Sequence, residues 1–241
     1  MNGHRHSGNN SGAEQAYVHA LKYARLNSLY DPLLRLTMRE SLFKGRLVEQ
    51  MNLEKGQRVL DVGCGTATLT LLLKKTHPDA EVTGIDGDPG ILEIARKKTA
   101  KAGLQIAFDE GMAYALPYAD GSFDRVVSSL MLHHLTRKNK QRALREAWRV
   151  LRPGGELHVA DFAKPHTALM RLIALPALLG ASSMVRDNLQ GRLPDLIRSA
   201  GFEEVCERQR FQTIFGTLSL FSAIKMGAPP AARVALEEKR P

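Results

Sequence analysis

Residues 59–70, Val-Leu-Asp-Val-Gly-Cys-Gly-Thr-Ala-Thr-Leu-Thr, constrain the fold more than any other stretch of this 241-residue chain. The apolar residues before Gly63 are typical of a short buried strand, and the residues after the turn predict a helix over 68–76. Gly63 and Gly65 give the connecting turn backbone freedom and leave no side chain where a ligand must come close. The stretch therefore predicts a strand, a glycine-rich turn and a helix.

Two acidic residues make this turn more specific. Asp61 stands two positions before the first glycine, and Asp86 closes the next apolar run, residues 82–85. A carboxylate at the tip of a second strand suits a pair of ribose hydroxyls, whereas an acid before the glycines would repel a pyrophosphate and suits a ligand with an ammonium group. Because position 68 is Thr, the Gly-x-Gly-x-x-Gly spacing of dehydrogenases is absent.

The first two thirds of the chain alternate between strand and helix patterns. Strands are predicted at 57–62, 81–85, 104–108, 124–130 and 156–161, with helices at 68–76, 89–102 and 137–151. Such alternation indicates an α/β fold with a parallel sheet covered on both faces. Ligand is then expected outside the carboxyl ends of the strands.

The pattern changes after position 161. Residues 165–187 are apolar with Pro176 inside, which predicts two short helices, and another helix is expected over 190–200. Residues 202–205 and 211–224 read as two closing strands, an antiparallel pair. The resulting sheet has seven strands.

One domain is expected over 14–225, behind a disordered leader at 1–13 and before a tail at 226–241. Within the domain we assign a helical lid to 14–52, a ligand-binding core to 57–161, lid helices over the second ligand to 164–200, and closing strands to 202–225. The tyrosines of the first segment either cover the cleft or only pack its helices onto the core.

The cysteines and the apolar runs of the sequence indicate the cellular compartment. Two cysteines, Cys64 and Cys206, exclude a disulfide framework and a cysteine-rich zinc site, and we predict no metal site. Residues 1–12 have no apolar core of a secretory signal, and the longest apolar run, 168–181, is too short to span a membrane. These observations predict a cytoplasmic protein.

Several further motifs complete a family pattern over about 45–225. They are Gly111-Met112-Ala113, Leu116-Pro117-Tyr118, Ser122-Phe123-Asp124, the run from Ser128 to Leu135, and Leu151-Arg152-Pro153-Gly154-Gly155. With the glycine turn, they resemble the Rossmann-like class I S-adenosylmethionine-dependent methyltransferases. Met131-Leu132-His133-His134-Leu135 is similar to the branch that methylates small molecules, which includes the ubiquinone and menaquinone biosynthesis methyltransferases.

The resemblance implies S-adenosyl-L-methionine as cofactor and assigns residues to it. Asp61 and the turn amides would hold the methionine end, Asp86 the ribose, and the turn at Met112 the adenine. The implied cofactor-binding residues are Asp61, Gly63, Cys64, Gly65, Asp86, Gly87, Met112, Ala113 and Ser129. Two positions depart from the family pattern, since Ala67 replaces a third glycine and Met112 replaces an Asp that accepts from the adenine amino group. Cys64 is either a reactive thiol or a small residue that fills the tight bend.

Two adjacent histidines follow the fourth predicted strand. His134 and His133 are candidate general bases, because an imidazole with a pKa near 6.5 suits deprotonation of a phenol, an enol or an amine. Adjacent histidines at the end of a strand also occur as turn caps or packing residues. Of the two, we favour His134 over His133 for a direct catalytic role.

The acceptor and the partners are argued from the remaining residues. The apolar stretch 164–186 predicts a lipophilic or aromatic small-molecule acceptor, unless these residues only complete the core. The net charge of +9, concentrated in 137–152, raises RNA methylation as an alternative and leaves a peripheral membrane contact open. We regard nucleic acid as the less favoured partner, because no RNA-binding module is present. A non-catalytic binding subunit is the third interpretation, and the oligomeric state stays open.

Overall fold

The structure, a computed structural model, describes residues 40–180 and 183–227. The expected leader over 1–13, most of the lid at 14–52 and all but the start of the tail at 226–241 lie outside the described residues. Within these, no helix is long and apolar enough to cross a membrane.

Seven strands form one sheet, which confirms the predicted fold class. The strands are β1 Arg58–Val62, β2 Glu81–Asp86, β3 Ala107–Glu110, β4 Phe123–Ser129, β5 Leu151–Phe162, β6 Glu203–Thr213 and β7 Gly216–Ile224. Their spatial order is β3-β2-β1-β4-β5-β7-β6. The first five strands are parallel, and β7 is antiparallel to both β5 and β6. The strand order reverses between β1 and β4, which is where ligands of such sheets bind.

Helices connect the strands and cover the sheet. They are α1 Glu40–Gln50, α2 Thr68–Thr76, α3 Pro89–Lys101, α4 Arg137–Val150, α5 Ala168–Gly180, α6 Ser183–Leu189 and α7 Leu193–Ser199, with a 3₁₀ turn at Leu132–His134. Local sequence sets the helix starts: the side chain of Asp88 accepts hydrogen bonds from the amides of Gly90 and Ile91 at the start of α3. Thr136 caps α4 in the same way.

The core divides between the two faces of the sheet. On one face α4 and α7 pack on β4 and β5, with Leu144, Leu151 and Ile197 almost completely buried. On the other face α1 and α2 pack against β1 and β7 around Phe43, whose ring lies 6.4 Å from that of Phe211. Burial of these apolar side chains holds the strand ends in register, at about 25 cal/mol per Å² of apolar surface.

Three sequence-based boundaries were wrong. The third strand spans 107–110 and not 104–108. The fifth begins at Leu151, because Gly155 lets the backbone of that strand approach the carbonyl of Asp124: a Cβ there would lie 3.0 Å from that oxygen. The closing strands meet at a turn over Thr213–Gly216, where Gly216 adopts a φ of 125°. Because Ile214 and Phe215 in that turn are apolar, the sequence pattern over 211–224 was typical of one continuous strand.

Pro176 does not separate two helices, contrary to expectation. Helix α5 continues through it to Gly180, and α6 begins at Ser183. Proline removes one hydrogen bond and crowds the carbonyl of the residue four positions earlier, which is Leu172. Both residues are exposed, so water can solvate that carbonyl and the helix continues.

Candidate active site at the carboxyl ends of the strands

The glycine turn after β1 requires its glycines. Gly63 has a φ of 72° and Gly65 a φ of 54°. The amides of Gly63 and Cys64 both donate to the carbonyl oxygen of Ile85, over 2.8 and 3.1 Å. A Cβ on Gly63 would lie 2.3 Å from Cγ of Met131, so the absent side chain lets Met131 pack on the turn. The turn is thereby joined to β2 and to the segment after β4.

Ala67 also adopts the left-handed conformation, with a φ of 60°, although it is completely buried. Only glycine enters this region without a steric cost, which for other residues is about 1–2 kcal/mol. Ala67, which replaces the family's third glycine, therefore occupies a strained position at the start of α2.

Asp86 connects β2 to the glycine turn. Its Oδ2 accepts from the amide of Gly65 over 3.0 Å, and its Oδ1 accepts from the amide of Asp88 over 3.1 Å. Burial raises the pKa of this carboxyl group, although hydrogen bonds from the amides of Gly65, Asp88 and Gly87 oppose the shift. Gly87 is half-buried. Because a carboxylate has about four lone-pair sites, Asp86 can still accept from a ligand hydroxyl.

Asp61 lies beneath the turn and is 1% exposed. The hydroxyl of Thr70 donates to its Oδ2 over 2.7 Å. Burial raises the pKa of Asp61 to about 6, which the Thr70 hydrogen bond and the charge of Lys44 partly oppose. The hydrogen bonds from Thr70 do not offset the burial of this charge, so the site favours a positively charged ligand group.

The side chain of Cys64 packs inside the turn. Its side chain is buried, and its Sγ would lie 3.0 Å from a Cβ placed on Gly84. Burial, with the nearby charges of Asp61 and Asp86, raises the pKa of the thiol. Because the nucleophile is the thiolate, the raised pKa and the burial both disfavour a reactive role. Of the two alternatives, the geometry favours the small residue that fills a tight bend.

The end of β3 borders the other side of the turn. The amide of Gly111 donates to the carbonyl of Asp86 over 3.0 Å, and Met112 and Ala113 follow half-buried. The nearby carboxylate of Asp109 already accepts from the hydroxyl of Tyr118 over 2.8 Å. The sequence analysis did not predict this contact, which engages one carboxylate near Met112.

Ser129 ends β4 with an unpaired hydroxyl. Its Oγ is buried and has no hydrogen-bond partner among the described residues. The preceding Ser128 donates instead to the carbonyl of Val62 over 2.9 Å. An unpaired buried donor costs about 1–3 kcal/mol, so the Ser129 hydroxyl is suited to a ligand atom.

A histidine and an acid meet beyond β4. Nδ1 of His133 lies 2.8 Å from Oδ1 of Asp161, and the amide of His133 donates to the other carboxylate oxygen over 3.2 Å. Asp161 is completely buried near the end of β5. The ring of Phe162 packs edge-on against His133 with centroids 4.9 Å apart. Asp161 was not predicted as a site residue from the sequence, although it lies at the end of a parallel strand, as Asp86 does.

His134 has a different environment. Its ring lies 4.0 Å from that of His133 and remains accessible to solvent. Partial desolvation, and then repulsion from His133, lower its pKa to about 4. Its amide donates to the carbonyl of Met131 over 3.0 Å, but its ring has no hydrogen-bond partner among the described residues that would orient it. The geometry thus favours His133 over His134 as a positioned base, the reverse of the order expected from sequence.

The residues present fit a nucleotide cofactor that carries an ammonium group. The fit rests on the buried carboxylate of Asp61, the unpaired hydroxyl of Ser129 and the free lone pairs of Asp86. No group of acidic, histidine and cysteine side chains in the described residues could hold a metal ion.

Helix α4 is far less available to RNA than its composition suggested. Lys140 is completely buried and donates to the carbonyl of Met184. Arg137 pairs with Asp187, Arg149 with Glu146 and Asp120, and Arg152 with Asp124. Arg142 lies over the ring of Tyr114. Most of the basic residues in 137–152 are therefore engaged within the chain.

Comparison with known proteins shows which family has a similar sequence. A family model described as a methyltransferase domain matches residues 59–155. The demethylmenaquinone methyltransferase of Thermus thermophilus is 38% identical over 153 residues, which cover 63% of this chain and 69% of that protein. The protein of the same name from Deinococcus radiodurans is 40% identical over 113 residues, covering 47% and 46%. The Listeria monocytogenes protein is 34% identical over 146 residues, covering 60% and 59%. The chain thus spans about half to two thirds of these relatives.

Solved structures share the fold. The S-adenosylmethionine-dependent methyltransferase SibL aligns with a TM-score of 0.67 and 24% identity over 88% of this chain and 64% of SibL. The [4+2]-cyclase SpnF aligns with a TM-score of 0.66 and 20% identity over 88% of this chain and 99% of SpnF. At such identities the likeness is one of fold alone.

Proposed function

Because this chain belongs to the class I S-adenosylmethionine-dependent methyltransferases, we propose that it methylates a small lipophilic acceptor of the quinol type. The relatives named demethylmenaquinone methyltransferase support this acceptor class. The observation that carries the proposal is the His133–Asp161 pair, next to a glycine turn on which Met131 packs.

The cofactor is proposed to lie across the glycine turn. Asp61 is directed to its ammonium group, Asp86 to both ribose hydroxyls, and Ser129 to a polar atom of the methionine portion. Met112 and Ala113 border the adenine ring, where a thioether can pack against an aromatic face. When bound, the cofactor supplies an activated methyl group on a sulfonium, which leaves as a neutral thioether.

The protein's own contribution is to move one proton and position the acceptor. Since an ionised carboxylate only accepts hydrogen bonds, Asp161 fixes the proton of His133 on Nδ1 and leaves Nε2 free. Nε2 takes the proton of an acceptor hydroxyl, and Asp161 stabilises the imidazolium that results. The negative charge on the acceptor then makes the adjacent ring carbon nucleophilic. After methyl transfer that carbon loses its proton to water, which restores the aromatic ring as a phenolate. The imidazolium of His133 then returns its proton to the phenolate oxygen.

The test is methyl transfer from labelled S-adenosylmethionine to a short-chain prenylated naphthoquinol that lacks the ring methyl group. We expect one labelled methyl group on the quinol and none on the oxidised quinone, which has no hydroxyl to deprotonate. Labelled RNA with an unlabelled quinol would establish the RNA alternative. Cofactor binding without transfer to any acceptor would establish the non-catalytic one.

A further inference from the structure

Helix α5 is apolar apart from Arg171, and apolar side chains lie on both its inward and its outward face. Met170 and Ala174 face inward and are buried, while Leu169, Leu172 and Leu175 are 59%, 67% and 45% exposed. At about 100° per residue, these three leucines span an arc of about 120°. An apolar helix face is normally covered by a protein core or by lipid, yet this outward arc of leucines faces solvent.

The turn between β6 and β7 adds two more exposed apolar side chains, Ile214 and Phe215, at 52% and 45%. This turn lies beside the start of α5: Nδ1 of His166 is 2.9 Å from Oγ1 of Thr217, the residue after the turn. We call the set Leu169, Leu172, Leu175, Ile214 and Phe215 the apolar rim. Among the described residues, it contains five of the eight exposed large hydrophobic side chains.

The apolar rim lies at the edge of the sheet that carries the candidate active site. Phe162, which ends β5 and packs on His133, pairs with Leu218 shortly after the β6–β7 turn. The amide of Ala163 donates to the carbonyl of Thr217 over 2.9 Å. The mouth of the site and the rim therefore share one end of the molecule.

Basic side chains accompany the rim. Arg171 is exposed on α5 itself, and the side chain of Lys164 lies against Gly191, where a Cβ would be 3.2 Å from Cβ of Lys164. The adjoining cavity, of about 350 Å³, is lined by Arg137, Arg186, Asp187, Gln190 and Arg192. Asp187 is the single acid of that lining. An apolar surface with cationic neighbours is complementary to an anionic lipid bilayer.

We propose that the apolar rim docks this chain on the surface of an anionic bilayer. The five apolar side chains enter the headgroup region, and Lys164, Arg171, Arg186 and Arg192 contact lipid phosphates. Docking would bring the site's mouth to the membrane, where a lipophilic acceptor is dissolved. Only that consequence rests on the proposed function, because membrane binding is measured without methyl transfer.

The first test is cosedimentation of the full chain with vesicles of phosphatidylcholine, alone or mixed with phosphatidylglycerol. We expect binding to the mixed vesicles and at least about a tenfold loss in the double variant Leu169→Gln, Leu172→Gln. Ile94→Gln, an exposed aliphatic side chain on α3, is the matched control and should bind as the native chain does. Lys164→Gln with Arg171→Gln should lose about tenfold on mixed vesicles only.

Three outcomes would overturn the proposal. These are no binding of the native chain to either vesicle, equal binding by the leucine variant, and a leucine variant that converts a dimer in solution to a monomer. Retained S-adenosylmethionine affinity shows that each variant is folded.

A second measurement asks what covers α5 before lipid is added. A polarity-sensitive dye is attached to Leu172→Cys in a chain that carries Cys206→Ser, because Cys206 is the exposed native thiol among the described residues. A blue shift of the dye only on addition of mixed vesicles supports docking. A dye already shielded without vesicles, and unaffected by them, would mean that residues 1–39 or a second copy occupies the rim.

Discussion

His133 and Asp161 come from segments 28 residues apart and meet through two hydrogen bonds, one from the ring and one from the backbone amide of the histidine. The double contact fixes both the position of the 3₁₀ turn and the tautomer of the ring. His134, one residue later, has neither contact. The two histidines therefore differ in what they can do, although they are adjacent in sequence.

The first prediction separates these histidines. His133→Gln should lower kcat on the quinol by about 10²–10⁴, the usual contribution of a positioned general base. His134→Gln should lower it much less and leave the shape of the kcat pH profile unchanged, because a ring with a pKa of about 4 stays neutral above pH 5. Steady-state kinetics over pH 5–8 provides the measurement. Equal losses of kcat in the two variants would mean that His133 and His134 do not differ in their role.

The second prediction concerns the stability cost of Asp61. Its pKa is about 6 in the folded chain, above the value near 3.9 of an unfolded aspartate. The folded state thus binds more protons between these values, and stability falls as the pH rises through that window. Asp61→Asn should stabilise the cofactor-free chain more at pH 8 than at pH 5, by about 1–2 kcal/mol. The same variant should bind S-adenosylmethionine about tenfold or more weakly, since a charged acceptor is lost.

Thermal unfolding at both pH values and calorimetry with the cofactor check this prediction. Asp79→Asn is the matched control, because that carboxylate is exposed on the surface with Lys55 as its partner. A stability gain for Asp61→Asn that does not change with pH would contradict the assignment of a buried, destabilising charge.

Much of the cofactor side could be predicted because it depends on local sequence. The glycines of the turn and the acids that close β1 and β2 lie within short stretches whose pattern fixes their geometry. Asp161 was placed at a strand end but given no role, because its partner His133 is brought to it only by the pairing of β4 with β5. Likewise, Lys140 is buried because α6 packs against α4. The sequence of α4 alone does not show that contact, so its charge suggested an exposed basic face.

The third prediction follows from Met112. One oxygen of Asp109 accepts from Tyr118 and Glu110 is exposed, while Met112 stands where the family pattern has the acceptor for the adenine amino group. Met112→Asp should tighten S-adenosylmethionine binding by about 0.5–1.5 kcal/mol, the value of one new hydrogen bond. Met112→Leu, which keeps only the packing, should not. Calorimetry that shows weaker binding in Met112→Asp would mean that Asp109, Glu110 or a backbone carbonyl already fills the role.

The last prediction tests whether α4 contacts RNA. Lys138 and Arg145 have no ion-pair partner among the described residues and are exposed, so a variant with both changed to Gln alters the free charge of the helix and little else. We expect unchanged turnover on the quinol and only weak, salt-sensitive RNA binding in both proteins. If the helix did bind RNA, each lost phosphate contact would lower the slope of log K against log salt by about 0.7–0.9. Lys140 is left intact, because its buried ammonium donates to the carbonyl of Met184 and its removal would disrupt the packing of α4 on α6.

RNA binding by the native chain at physiological salt, lost in the double variant, would favour RNA over the quinol as the acceptor.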